Sequence, residues 1–183
     1  MSVGREKQVT GCLMNTVTKP EMVQARTERL NEVRPAYLEA LTLVERLHRR
    51  LLDVIKDEFD RRGRSDINAV QALLLSNIGD KELTAGELRT RGYYLGSNVS
   101  YNVKKLVEMG YLHHARSRID RRSVRISLTE KGAEVHKIVT ALYEKHVLTV
   151  EQIGGISCEE FRRVNHSLSR LERFWTDQIR FRL

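Results

Sequence analysis

The stretch Leu83–Gly132, LTAGELRTRGYYLGSNVSYNVKKLVEMGYLHHARSRIDRRSVRISLTEKG, decides the fold. Thr84 stands three residues before Glu87, the spacing of a capping box, and Leu83 and Leu88 are placed to staple the helix that the box opens. Gly92 ends that helix, because glycine takes the left-handed conformation at little cost. Gly96 and Ser97 open a second helix. Val99, Val103, Leu106 and Val107 fall on one stripe of it and face a core. Ser97, Tyr101 and Lys104 lie on the opposite side, flanked by Asn98, Ser100 and Lys105. Gly110 stops the helix.

Beyond it, Tyr111 to Arg116 and Val124 to Leu128 read as two short strands, the second alternating Val124, Ile126 and Leu128 inward. The loop between them, Ser117 to Ser123, carries Arg118, Arg121 and Arg122. Helix, turn, helix and basic hairpin make a winged helix-turn-helix. Such a second helix fits a major groove, and such a loop fits a minor groove or phosphates. The fold class is therefore mainly α with a small β-wing, joined to a helical dimerisation region.

Charge supports a nucleic-acid partner. Thr84–Gly132 holds ten Lys or Arg against four acids, so it carries +6 of the chain's +8. A charge run is usually only a solvated face. Here six of the ten follow Leu112 in a hairpin context, beside a helix face offering Ser, Asn and Tyr rather than acids.

Two runs resemble the MarR family of bacterial transcription regulators. Asp120-Arg-Arg-Ser-Val-Arg-Ile-Ser-Leu-Thr-Glu-Lys-Gly132 is similar to the family's wing, and Asn98-Val-Ser-Tyr-Asn-Val-Lys-Lys-Leu-Val-Glu-Met-Gly-Tyr-Leu112 to its recognition helix. The resemblance runs from about Tyr37 to the C-terminus, and the whole pattern resembles the LdtR branch. A basic residue is common in the family where Tyr101 stands, so a base contact there differs in kind.

The resemblance implies a homodimer on a double-stranded, pseudo-palindromic operator, with repression the commoner outcome and a small-molecule effector bound where dimer helices meet the winged domain. Thr42, His48 and Tyr143 are the residues that would give such a cleft its polar points; as packing or surface residues they would look the same. In family members with an Asp-x-Arg wing, the arginine is aimed into the minor groove. Asp120 then organises Arg122, with Arg121 as the alternative. As an exposed pair they would contribute only about 0–1 kcal/mol to stability.

On the recognition helix, Asn98 can pair with adenine edges, and Ser97 and Ser100 with bases or phosphate. The Ser97 hydroxyl serves equally well as a helix cap. Lys104 and Lys105 suit phosphates, which fix position without carrying sequence information.

The remaining chain is read in order. Residues 1–34 are expected to be a mobile tail with a short helix, opened by Thr18 and Glu21 and carrying Met22, Val23 and Leu30. Pro35 restarts the chain, and 35–64 is a dimerisation helix of roughly 40 Å at 1.5 Å per residue. Its stripe is Tyr37, Leu41, Val44, Leu47, Leu51, Val54, Ile55 and Phe59. Residues 65–132 form the DNA-binding domain, whose first helix is capped by Asn68 and Gln71. Thr129 caps a helix that begins at Glu130 and runs to Gly154–Gly155, and Ser157 with Glu160 caps another that carries Phe161, Val164, Leu168, Leu171, Trp175 and Ile179; residues 133–183 are thus expected to be C-terminal dimerisation helices. Three such amphipathic helices expose more apolar surface than a small domain can cover, and a second copy is the simplest cover.

Composition sets the remaining bounds. Charged residues make up 31% and aromatics 6% of 183 residues, with no apolar run long enough for a bilayer or a signal peptide. Cys12 and Cys158 form neither a metal spacing nor a disulfide framework, which suits a reduced cytoplasm. A reactive thiol at Cys12 lacks a basic cluster to activate it. The scattered histidines, His48, His113, His114, His136, His146 and His166, lack ligand spacing, so no metal or other cofactor is expected. No glycine-rich phosphate loop, Gly-x-Ser-x-Gly elbow or His-Glu-x-x-His occurs, which argues against an enzyme. The rival reading is a winged-helix protein–protein interaction module; the arginine-bearing wing favours DNA.

Overall fold

The computed structural model describes residues 19–90, 96–116 and 124–181, some element ends by backbone alone. The expected mobile tail before residue 19, the Gly92 stop and the wing loop lie outside the described residues. By internal contacts the chain forms two compact units, Met1–Arg49 and Arg50–Leu183.

Helix α1 spans Lys19–Arg61, so the expected break at Pro35 is absent. A proline inside a helix removes one backbone hydrogen bond and crowds the carbonyl four residues earlier. Pro35 and its neighbours are exposed, so water can meet the carbonyl that loses its partner. Within the first unit, Met22, Val23, Leu30, Val33 and Leu47 are more than half exposed.

In the second unit the end of α1 is followed by α2 (Ala69–Ile78), β1 (Leu83–Thr84), α3 (Ala85–Thr90), α4 (Gly96–Glu108), β2 (Leu112–Arg116), β3 (Val124–Leu128), α5 (Glu130–Val147), α6 (Val150–Gly154) and α7 (Cys158–Phe181). Mainly helical with one small sheet, this is the expected class. Asn68 and Gln71 cap α2 reciprocally, as their spacing predicts. The sheet order is β1-β3-β2, all antiparallel. Strand β1 was not legible in the sequence, because two residues cannot display an alternation. It doubles as the start of α3: the Thr84 amide donates to Glu87 at 2.6 Å, and the Glu87 amide donates back to the Thr84 hydroxyl at 3.1 Å.

The core gathers Ile55 and Phe59 of α1, Leu74, Leu75 and Ile78 of α2, Leu88, Leu106, Ile126, and Val135 and Val139 of α5. Burying each large side chain contributes roughly 1.5–3 kcal/mol. Thr129 caps α5 through its hydroxyl, which accepts from the Gly132 amide. α5 stops at Val147 rather than continuing to Gly154. The Thr149 hydroxyl donates back to the Lys145 and His146 carbonyls, competing with helix continuation. Gly155 ends α6 in the left-handed region, and Ser157 with Glu160 opens α7 as a capping box.

Candidate nucleic-acid interface

Helix α4 has two chemically distinct sides. Val103 and Leu106 are buried and Val107 is partly so, which fixes the inner stripe. Ser100, Tyr101, Lys104 and Lys105 are exposed, Tyr101 by 64%. Lys104 Nζ lies 3.9 Å from Glu108, one turn on. An exposed pair of that length holds the ammonium weakly, so it is free to exchange a carboxylate for a phosphate. Ser97 and Asn98 occupy the first turn of α4; their side chains lie outside the described residues.

The helix is closed by its own sequence. Gly110 takes φ +75°, and the Tyr111 amide donates to the Leu106 carbonyl at 2.8 Å. That turn delivers the chain into β2, which pairs with β3 from Leu112↔Leu128 to Arg116↔Val124. The hairpin is thus built next to α4 by local geometry. Arg118, Asp120, Arg121 and Arg122, the expected wing contacts, lie outside the described residues.

A polar knot holds this assembly together. The Tyr111 side chain is fully buried, and its hydroxyl donates to Asp66 and accepts from Arg64 at 3.2 Å. Lys131 Nζ sits 3.6 Å from Asp66 and 4.1 Å from the Tyr111 ring centre. The Tyr111 hydroxyl, and then Arg64, hold the Asp66 carboxyl below its ordinary value. Contact with Tyr111 and Asp66 raises the Arg64 guanidinium. The Tyr111 carbonyl accepts from the Thr129 amide at 3.1 Å. A Cβ at residue 132 would lie 2.2 Å from that carbonyl oxygen, so only glycine fits there.

Sequence reasoning missed this knot because Asp66 and Tyr111 are 45 positions apart. It also counted Arg125 only as charge; the guanidinium lies on β3, 3.8 Å from Glu82.

The expected effector residues fall in different units. In the first, Thr42 donates its hydroxyl to the Leu38 carbonyl at 3.0 Å, and His48 is exposed. In the second, Tyr143 is half-buried, its phenol pushed up by burial, and lines a cleft of about 550 Å³ at the α5–α6–α7 elbow. Among the described residues no group of three or more His, Cys, Asp or Glu is placed to hold a metal ion. No described helix is long and apolar enough to cross a membrane.

Residues 67–132 match the family model described as a winged helix DNA-binding domain. The exopolysaccharide II synthesis transcriptional activator ExpG of Rhizobium meliloti (strain 1021) is 41% identical over 145 residues, covering 79% of this chain and 74% of ExpG. The chain belongs to the MarR family. Two solved structures share the fold of this MarR-family chain. FabT of Streptococcus pneumoniae, in complex with DNA, superposes with a TM-score of 0.58 at 24% identity, covering 77% of this chain and 98% of FabT. A variant of MarR from E. coli bound to operator DNA gives 0.58 at 19% identity, covering 78% and 96%. As a MarR-type protein the chain is a DNA-binding transcriptional regulator, and its relatives are regulators rather than enzymes.

Proposed function

We propose that this MarR-type regulator acts as a cytoplasmic homodimer, reading a pseudo-palindromic operator with α4 in the major groove and the wing arginines in the minor groove. The observation that carries the reading is the split of α4 into a locked inner stripe and an exposed polar side bearing Tyr101, Lys104 and Lys105. Ser97, Asn98 and Ser100 complete the reading end. Arg122, set by Asp120 and backed by Arg118 and Arg121, supplies the minor-groove contact.

Support for a second copy comes from α7. Phe161, Val164, Leu168 and Ile179 recur along one face of it at 37–80% exposure, a stripe that water alone would face in a single copy. Two recognition helices about 34 Å apart would meet successive major-groove turns.

The sign of regulation rests on two unequal supports. Family resemblance implies repression, whereas the 41% identical ExpG is named an activator. The closer relationship favours activation. An effector acting through the Tyr143 region would shift the operator-binding equilibrium. Footprinting on bound genomic fragments tests the reading, with the expected result two protected half-sites one turn apart and a dimer mass by light scattering. A single half-site bound by a monomer would overturn it.

A further inference from the structure

The chain leaving α4 is closed from two sides. Within the turn, the amides of Met109, Gly110 and Tyr111 donate back to the Lys105, Val107 and Leu106 carbonyls at 2.9, 3.0 and 2.8 Å. The carbonyls of the same three residues are all taken up by α5 or its cap. Lys131 Nζ donates to Met109 at 3.3 Å, the Thr129 hydroxyl to Gly110 at 2.7 Å and the Thr129 amide to Tyr111 at 3.1 Å. A helix end commonly leaves such groups to water or to a side chain close in sequence. Here two of the donors stand 19 and 22 residues on, beyond the whole hairpin.

Lys131 adds charge to the winged domain, yet its ammonium is committed inward. Besides the Met109 carbonyl, it meets Asp66 at 3.6 Å and the Tyr111 ring centre at 4.1 Å. α5 itself has little freedom to yield, since Val135, Val139 and Leu142 are buried in the core. Packed side chains and hydrogen bonds in series carry a displacement from one element to the next. α5 also leads through α6 into α7, so along the chain it stands between α4 and the helix proposed to meet a second copy.

We infer that Lys131, together with Thr129, is a positioning residue for DNA reading: the pair fastens the exit of α4 to the first turn of α5, so that the tilt of α4 follows α5. The inference rests on the reading of α4 as the major-groove helix and adds the groups that aim it. It also separates Lys131 from Lys104 and Lys105, which are exposed on α4. A shift of α5, whether it comes from the pairing of two copies or from a bound effector, reaches the bases through this clasp.

Lys131→Met keeps the length and apolar stem of the side chain and removes the donor, whereas Lys131→Arg keeps a donor and the charge. Operator and random duplexes are titrated with both variants, with Tyr101→Ala and with the native chain, over a range of salt and well below the melting temperature. Lys131→Met should weaken operator binding about tenfold, the scale of one misplaced base contact. Its affinity for random duplex, salt slope and mass in solution should stay native, and Lys131→Arg should retain operator binding. Equal loss on both duplexes, with the salt slope lowered by about one, would make Lys131 a phosphate contact and overturn the inference. Native operator affinity in Lys131→Met overturns it too, and a loss of selectivity in Tyr101→Ala alongside would show that the reading of α4 still stands. A native chain without preference for the operator overturns both. A second measurement needs no DNA. Spin labels on Lys105→Cys and Thr140→Cys, in a Cys12→Ser and Cys158→Ser background, should give one narrow distance that broadens when Lys131→Met is added; an unchanged width overturns the clasp.

Discussion

The Tyr111 hydroxyl donates to the Asp66 carboxylate, tying the turn between α4 and β2 to the loop between α1 and α2. Arg64 and Lys131 close on the same pair, Lys131 from the first turn of α5. One carboxylate therefore references α4, the root of the wing and α5 to a common point. Under the proposed DNA-reading role of α4 and the wing, such positioning would matter, since a displacement of either element would spoil its register on the duplex.

Tyr111→Phe keeps the ring in the core and removes only the hydroxyl. It should cost about 1–2 kcal/mol in urea denaturation, the net worth of a hydrogen bond to a charged group in a partly wet site. An unchanged midpoint would show that the bond adds nothing.

Asp66 also sets an acid limit. Its folded pKa lies below the ordinary value, so its contribution is present above the unfolded pKa, near 3.9, and fades as pH falls through the folded pKa. The side chain is 46% exposed, so screening keeps the effect modest. Asp66→Asn should flatten the fall of melting temperature below about pH 4 relative to the native chain. Parallel acid curves would assign the fall to other carboxylates.

Gly132→Ala tests the close approach at the start of α5. Its methyl must displace the Tyr111 carbonyl, which also accepts from Thr129. A loss of about 1–3 kcal/mol or more is expected, read as a lowered melting temperature. Wild-type stability would mean that the hairpin root yields freely.

Local chemistry explains which features the sequence disclosed. The Asn68–Gln71, Thr84–Glu87 and Ser157–Glu160 boxes each join residues three apart, and all three formed. The polar side of α4 followed from helical period alone, and Ser100, Tyr101, Lys104 and Lys105 are exposed. Pro35 misled because its cost depends on solvent access to a freed carbonyl, which spacing does not encode. Thr149 misled because its hydroxyl had two uses, and β1 because its partner, Ile126, stands opposite Leu83 from far along the chain. The Asp66–Tyr111 knot left no local trace.

Arg122→Ala is expected to lower operator affinity by about 1–3 kcal/mol, the scale of one specific groove contact, with melting temperature and dimer mass unchanged. A gel-shift titration without loss would remove Arg122 from the interface.

Tyr101 and Lys104 stand one turn apart on α4 and should fail in different ways. Lys104 is an exposed cation, 3.9 Å from Glu108. Its replacement by alanine should weaken specific and random DNA alike and reduce the salt slope by about one. Tyr101 carries no charge and is exposed on α4, the helix proposed to enter the major groove. A phenol there can stack on a base or exchange a hydrogen bond with its edge, and either depends on which base is present. Tyr101→Ala should therefore lower affinity for the operator while sparing random duplex, with the salt slope intact. Tyr101→Phe separates the two modes, retaining affinity if stacking dominates and losing it if the hydroxyl reads the base. Equal losses on operator and random DNA would make Tyr101 a backbone contact, moving sequence reading to the first turn at Ser97 and Asn98.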